Sequence, residues 1–175
     1  MKHEIVTILD NLRSRENVGS IFRTADAVGI SKIYLCGITP TPEGQISKSE
    51  FLISKKILNT KYQIQNTDKI AKTALGAEKW VPWEYHKQTW RLIEKLKAEG
   101  WFIVALEKTP NSQDIFKTSI KSNKIALILG NEVSGLKSEI IKRADKTVGI
   151  SMYGQKESLN VSVAFGIAIY HLIKN

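Results

Sequence analysis

Strands alternating with helices along the chain predict an α/β fold, with a mainly parallel sheet and helices on both faces. Three observations carry that expectation. Short apolar runs, above all Ile125-Ala126-Leu127-Ile128-Leu129, stop abruptly at glycine, as a strand buried on both faces does. Stretches with helical spacing, such as Asn17 to Val28 and Thr89 to Ala98, fall between such runs. The last stretch, ending in AFGIAIYHLIKN, is apolar on nearly every face, so it must be covered on more than one side.

Taken in order, Glu4 to Leu9 reads as the first strand, followed by a charged, basic loop. Asn17 to Val28 then reads as a helix, with Ile21, Phe22, Ala25 and Val28 at helical spacing and Asn17 placed to cap it. Gly19 and Arg23 share one face of that helix, so a missing side chain leaves room above a guanidinium, which suits an anion or ligand. The competing expectation is a surface arginine paired with Asp26 or Asp10. Ser31 to Ile38 supplies a second strand, and Thr39 to Gly44 is a loop rich in proline and glycine. The lysine-bearing stretch from Ser47 to Lys61 shows no clear period. In KTALGAEKWVPWEYH, Lys72, Lys79 and His86 interleave with Trp80, Trp83 and Tyr85. That pattern fits phosphate clamping with base stacking, and equally a loop anchored to the core. Thr89 to Ala98 is an amphipathic helix and Trp101 to Leu106 a strand, followed by a loop with Thr109-Pro110-Asn111.

Beyond Leu129, Gly130 and Gly135 bracket Asn131 to Ser134, so the backbone can turn sharply and approach a ligand closely. Glu132 places a carboxylate near a strand's carboxyl end, where open α/β sheets bind ligands. Lys146 to Ile150 is a further strand, followed by the polar loop Ser151 to Glu157, and Ser158 is placed to cap the terminal helix. The two loops are expected to close on one pocket. That helix carries Val161, Phe165, Ala168 and Leu172 on one side and Val163, Ile167 and Tyr170 on another. One side is expected on the sheet and the other against a second subunit.

Length and composition bound the function. The 175 residues fit one domain, spanning 1–175, with room for a true core. A single cysteine, Cys36, lies in an apolar run, which excludes internal disulfides and Cys-rich zinc sites and reads as a small buried side chain. His3, His86 and His171 are scattered, so no metal site is expected. There is no signal-peptide pattern and no run of about 18 apolar residues, so a soluble cytoplasmic protein is expected. Lys plus Arg number 26 against 17 Asp plus Glu, a formal charge of +9. Such a balance favours a polyanionic partner, nucleic acid first. No G-x-G-x-x-G follows the first strand, and the Gly130 to Ser138 run resembles a phosphate loop only loosely, because Leu136 displaces the lysine and Glu132 would oppose phosphates.

Three segments together carry a more specific pattern: Asn17-x-Gly19-x-x-x-Arg23-x-Ala25, then Leu129-Gly130-Asn131-Glu132-x-x-Gly135-Leu136, then Ile150-x-Met152-x-Gly154-x-x-x-Ser158-Leu159-Asn160-Val161-Ser162-Val163-Ala164. In this order they resemble the three motifs of the SpoU (TrmH) family of RNA ribose 2′-O-methyltransferases, over essentially the whole chain. The resemblance implies a deep trefoil knot at the carboxyl end, a topology that general folding rules would exclude. It implies S-adenosylmethionine (AdoMet) held in the knot by Leu129, Gly130, Ile150, Met152, Ser158 and Leu159. It places Asn17, Arg23, Glu132, Ser158 and Asn160 near the reacting centre, and implies a homodimer acting on tRNA or rRNA. Arg23 would grip the phosphate beside the target ribose with Asn17 assisting, and its helix would reach the other subunit's pocket. Glu132 would orient Asn160 or another polar neighbour. One position departs: many members carry proline where this chain has Ser151, which frees φ there. No separate RNA-binding extension is expected, so substrate capture falls to the domain's basic surface. The alternatives are an RNA-binding module of this fold without catalysis, and a phosphate-binding NTPase built on the Gly130 to Ser138 loop.

Overall fold

The structure, a computed structural model, describes residues 4–42 and 69–174. Its centre is β1 (Glu4–Asp10), buried from Ile5 onward. Successive side chains of β1 point to opposite faces, so Ile5 and Leu9 enter one apolar cluster while Val6 and Ile8 enter another. A strand apolar on both sides needs helices on both sides, and that arrangement is present. Going outward, β1 pairs with β2 (Lys32–Cys36), which pairs with β3 (Trp83–His86). On the other side follow β6 (Lys124–Leu129), β4 (Phe102–Leu106), β7 (Lys146–Gly149) and the short β5 (Gln113–Asp114). Every pairing between these strands is parallel.

One face is covered by α1 (Arg15–Val28) and the terminal α4 (Val161–Lys174), whose Ile21, Phe22, Phe165 and Ile169 are fully buried. The other is covered by α2 (Thr89–Ala98) and the single turn α3 (Ser138–Ile141), through Leu92, Ile93, Leu96 and Ile140. Among the described residues, no helix is long and apolar enough to cross a membrane. Cys36 is fully buried, and burial pushes its thiol up to about 12, so it is a packing residue rather than a nucleophile.

Several boundaries differ from the sequence expectation. The cap of α1 is Ser14, whose Oγ accepts from the Asn17 N–H at 3.1 Å, so the helix starts at Arg15 and Asn17 lies inside its first turn. The cap of α4 is not Ser158: the helix starts at Val161, and Asn160 Oδ1 accepts from the Ser162 N–H at 2.9 Å. Strands β3 and β5 and helix α3 were not foreseen. In β3, Trp83 and Tyr85 pack against the core, and the Tyr85 hydroxyl donates to the Gly37 carbonyl at 2.9 Å, which is the anchoring outcome for this aromatic run. Trp80 stays 60% exposed with its indole N–H on Asp26. The room above Gly19 is not a ligand site: a β-carbon there would lie 2.1 Å from Thr73 Oγ1 and 2.4 Å from the Ile70 carbonyl oxygen, because the helical residues 69–74 lie against it. The stretch Ser47 to Lys61 lies outside the described residues.

Candidate active site

Register decides where the site forms. Leu9 pairs with Leu129, Leu129 with Leu106, and Leu106 with Val148, so β1, β6, β4 and β7 end level and release their loops along one rim. At that rim lies a cavity of about 400 Å³. Leu106, Leu129, Ile150, Leu159, Val161 and Ala164 give it an apolar floor, and the loops after β4, β6 and β7 give it polar walls.

The loop after β6 is built tightly. A β-carbon at Gly130 would sit 2.5 Å from both the Gly135 carbonyl carbon and the Leu136 nitrogen, so the chain passes over itself there and only glycine fits. Gly135 takes φ +65°, the left-handed region that glycine enters without cost. Asn131 Oδ1 accepts from the Val133 and Ser134 N–H groups, and its Nδ2 donates to the Asn11 carbonyl at 2.8 Å. The Leu136 N–H donates to Glu107 Oε2 at 2.7 Å. The amides of Val133, Ser134 and Leu136 are therefore engaged by the chain's own side chains and that of Gly135 by the Asn131 carbonyl, so the loop does not present them to a phosphate.

Glu132 turns back under α1. Its carboxylate accepts from the Arg13 N–H at 2.9 Å, the Ser14 N–H at 3.0 Å and Asn17 Nδ2 at 3.1 Å. Burial alone would raise its pKa, but the two backbone donors and the Asn17 amide together outweigh that and hold it below the ordinary glutamate value. Asn17 Oδ1 in turn accepts from Asn160 Nδ2 at 3.0 Å, and Asn160 Oδ1 accepts from the Ser162 hydroxyl at 2.7 Å. One polar ladder thus runs from the loop after β6, through α1, to the cap of α4. It joins residues 115 and 143 positions apart.

Of the residues expected at the site, Asn17, Glu132, Ser158, Asn160, Leu129, Gly130, Ile150, Met152 and Leu159 all line this cavity. Arg23 does not. It lies on the exposed face of α1 and makes no hydrogen bond or ion pair among the described residues, so neither Asp26 nor Asp10 holds it. Leu106, Glu107, Lys108 and Gly149 line the cavity without having been foreseen. Their position at or just past the carboxyl ends of β4 and β7 is the signal that would have found them. Ser151, at the departing position, donates to Asp114 Oδ2 at 2.6 Å, so its loop is tied to the end of β5 by a side chain instead of a proline ring.

The family model described as the SpoU rRNA methylase family matches residues 47–170. The chain belongs to the SpoU family. Among curated SpoU relatives, it is 30% identical to the tRNA (guanosine(18)-2′-O)-methyltransferase of Borreliella burgdorferi, over 95% of this chain and 64% of that protein. It is 29% identical to the 23S rRNA (guanosine(2553)-2′-O)-methyltransferase RlmP of Bacillus subtilis, over 95% of this chain and 57% of that one. Among solved structures, an AdoMet-bound rRNA methyltransferase from Sinorhizobium meliloti superposes with a TM-score of 0.80 at 27% identity, over 99% of this chain and 57% of its own. The TrmH/SpoU tRNA-modifying enzyme of A. aeolicus gives 0.76 at 27% identity, over 99% of this chain and 75% of its own. This SpoU chain spans under two-thirds of the length of these two curated relatives.

Proposed function

We propose that residues 1–175 act as a single AdoMet-dependent methyltransferase domain that methylates a ribose 2′-hydroxyl of tRNA or rRNA, working as a homodimer in the cytoplasm. The observation that carries this reading is the ladder Glu132–Asn17–Asn160 standing over an apolar-floored cavity in a SpoU chain. A volume of about 400 Å³ lies in the range of cavities that enclose a ligand of AdoMet's size, about 300–1,000 Å³. Leu129, Gly130, Ile150, Met152, Ser158 and Leu159 would hold it, mainly through backbone and apolar contacts. When bound, it supplies an electrophilic methyl group. A trefoil knot at the carboxyl end belongs to this proposal. Its support is the likeness to SpoU structures and the path from β7 back across β4 and β6 to α4, which packs on α1 and β6.

The chain's own tasks are placement and removal of one proton. Glu132 is a poor proton acceptor, since the three N–H donors it already takes stabilise its charged form and hold its pKa down. It acts instead by fixing Asn17, which fixes Asn160 at the cavity mouth. Arg23, exposed and unpaired among the described residues, grips the RNA phosphate beside the target ribose with its planar fork, and the 2′-hydroxyl proton leaves to that phosphate or to water. Because it stands outside its own cavity, it serves the cavity of the second subunit. Support for that subunit comes from α4, whose Val163, Tyr170 and Ile173 are 50%, 47% and 37% exposed.

The test uses purified protein, AdoMet and an RNA substrate found by mapping 2′-O-methylated positions in total RNA with and without the gene. Arg23→Ala should leave AdoMet binding intact and lower methyl transfer about 10²-fold, the scale of losing an electrostatic clamp. Arg23→Lys should rescue poorly, since a point charge does not reproduce the fork. Turnover by Arg23→Ala at the wild-type rate, or a methyl group on a base atom, would sink the mechanism. AdoMet and RNA binding with no methylation anywhere would favour the non-catalytic module.

A further inference from the structure

Three carboxylates line the cavity, and they are not equivalent. Glu132 already accepts from three N–H donors, two of them on one oxygen, and is tied to α1 and the loop before it. Glu157 is exposed on the loop before α4. Glu107 is half-buried immediately beyond β4, and its Oε2 accepts from the Leu136 N–H at 2.7 Å. Its Oε1 has no hydrogen-bond partner among the described residues. Both oxygens lie against Gly135: a β-carbon there would meet Oε2 at 2.5 Å and Oε1 at 3.0 Å, so the φ +65° glycine also makes room for this carboxylate. The side chain is therefore held by the loop after β6 while keeping acceptor capacity inside the cavity.

We infer that Glu107 binds the vicinal ribose hydroxyls of the cofactor. The inference rests on the AdoMet reading. A carboxylate offers acceptors only, in about four lone-pair directions, and a ribose diol offers two donors on neighbouring carbons. A carboxylate just past a parallel strand's end is a recurrent seat for nucleotide ribose hydroxyls in open α/β sheets. The competing donor on the same ligand is its amino-acid ammonium. Lys108, next in the chain and lining the same cavity, opposes a second cation there but not a neutral diol. Glu107 thereby joins occupancy of the cavity to the position of the Gly130–Leu136 loop, because one carboxylate meets both.

Titration calorimetry on the full chain separates the possibilities. The ligands are AdoMet, 5′-methylthioadenosine, which keeps the diol and lacks the ammonium, and 2′,3′-dideoxy-5′-methylthioadenosine, which lacks both hydroxyls. Glu107→Gln keeps an acceptor for the Leu136 N–H, so the loop should survive, and an unchanged melting temperature confirms it. Weakening of AdoMet and methylthioadenosine by a similar factor, about tenfold for a charge-assisted hydrogen bond, is the expected result. The dideoxy ligand should bind wild type and variant alike. Weakening of AdoMet alone would assign Glu107 to the ammonium and overturn the inference, and so would unchanged affinity for all three. If AdoMet and methylthioadenosine both fail to bind the wild type, the cofactor reading itself is wrong, a result distinct from either.

Discussion

At the scale of single residues, Glu132 and Asp10 titrate with opposite effects on stability. Hydrogen bonding outweighs burial at Glu132, so its folded pKa lies below the ordinary 4.5. A depressed acid stabilises the fold above that value, and the contribution is lost as pH falls through the folded pKa. Asp10 is 3% exposed at the end of β1 and accepts from Asn11 Nδ2 and the Thr89 hydroxyl. Burial outweighs those bonds and raises its pKa above 3.8, so the folded state takes up its proton first and this group adds stability as pH falls. Melting temperatures followed from pH 7 into the acid range should therefore fall less steeply for Glu132→Gln than for wild type, and more steeply for Asp10→Asn. Identical slopes for all three proteins would show that neither carboxyl is perturbed.

Glycines decide the behaviour of whole elements. Gly130 lets the loop after β6 fold over its own backbone at Gly135 and Leu136, and backbone offers no side chain that can step aside. Gly130→Ala should displace the cavity wall, abolishing detectable AdoMet binding while the circular dichroism spectrum stays that of an α/β protein. Retained binding at wild-type affinity would mean that the wall tolerates the shift. Gly19 plays a packing role instead, letting α1 lie against residues 69–74. Thr73 can rotate away but the Ile70 carbonyl cannot, so Gly19→Ala should cost about 1–3 kcal/mol of overpacking in denaturant unfolding. Thr73→Ala added to it should restore only part of the loss.

The whole molecule is basic, with a formal charge of +9, and carries an uncovered apolar stripe on α4. The two features predict separable responses. RNA binding should weaken steeply with added salt because phosphate contacts release counterions. AdoMet binding should hardly change over the same range, since neutral backbone and apolar groups supply most of its contacts. Anisotropy and calorimetry at two salt concentrations check both. If the α4 stripe joins two copies, light-scattering chromatography should give about twice the 19.7 kDa chain mass for wild type, and the single-chain mass for Tyr170→Glu. A monomeric wild type at micromolar concentration would remove the second subunit from the proposal, and with it the role given to Arg23.

Much of this was local enough to be written in the sequence. The β6 run ending at Gly130, the helical spacing of α1, α2 and α4, and the pairing of Gly130 with Gly135 each reflect a period or a backbone demand that neighbouring residues express alone. The motif order placed most of the cavity lining on three segments. What the tertiary structure decided is which distant groups meet. The ladder from Glu132 through Asn17 to Asn160 spans loops and helices that no local period connects. Strand β3 escaped notice because an edge strand of four half-buried residues has no strong alternation. Gly19 looked like room for a ligand because a sequence shows a missing side chain but not the segment that fills the space. Glu107 is, in the sequence, one charged residue after a strand. Only the level ends of β4, β6 and β7, set by parallel register, bring its carboxylate beside Leu136 and into the cavity, because hydrogen bonds between strands far apart in the chain fix where each loop emerges.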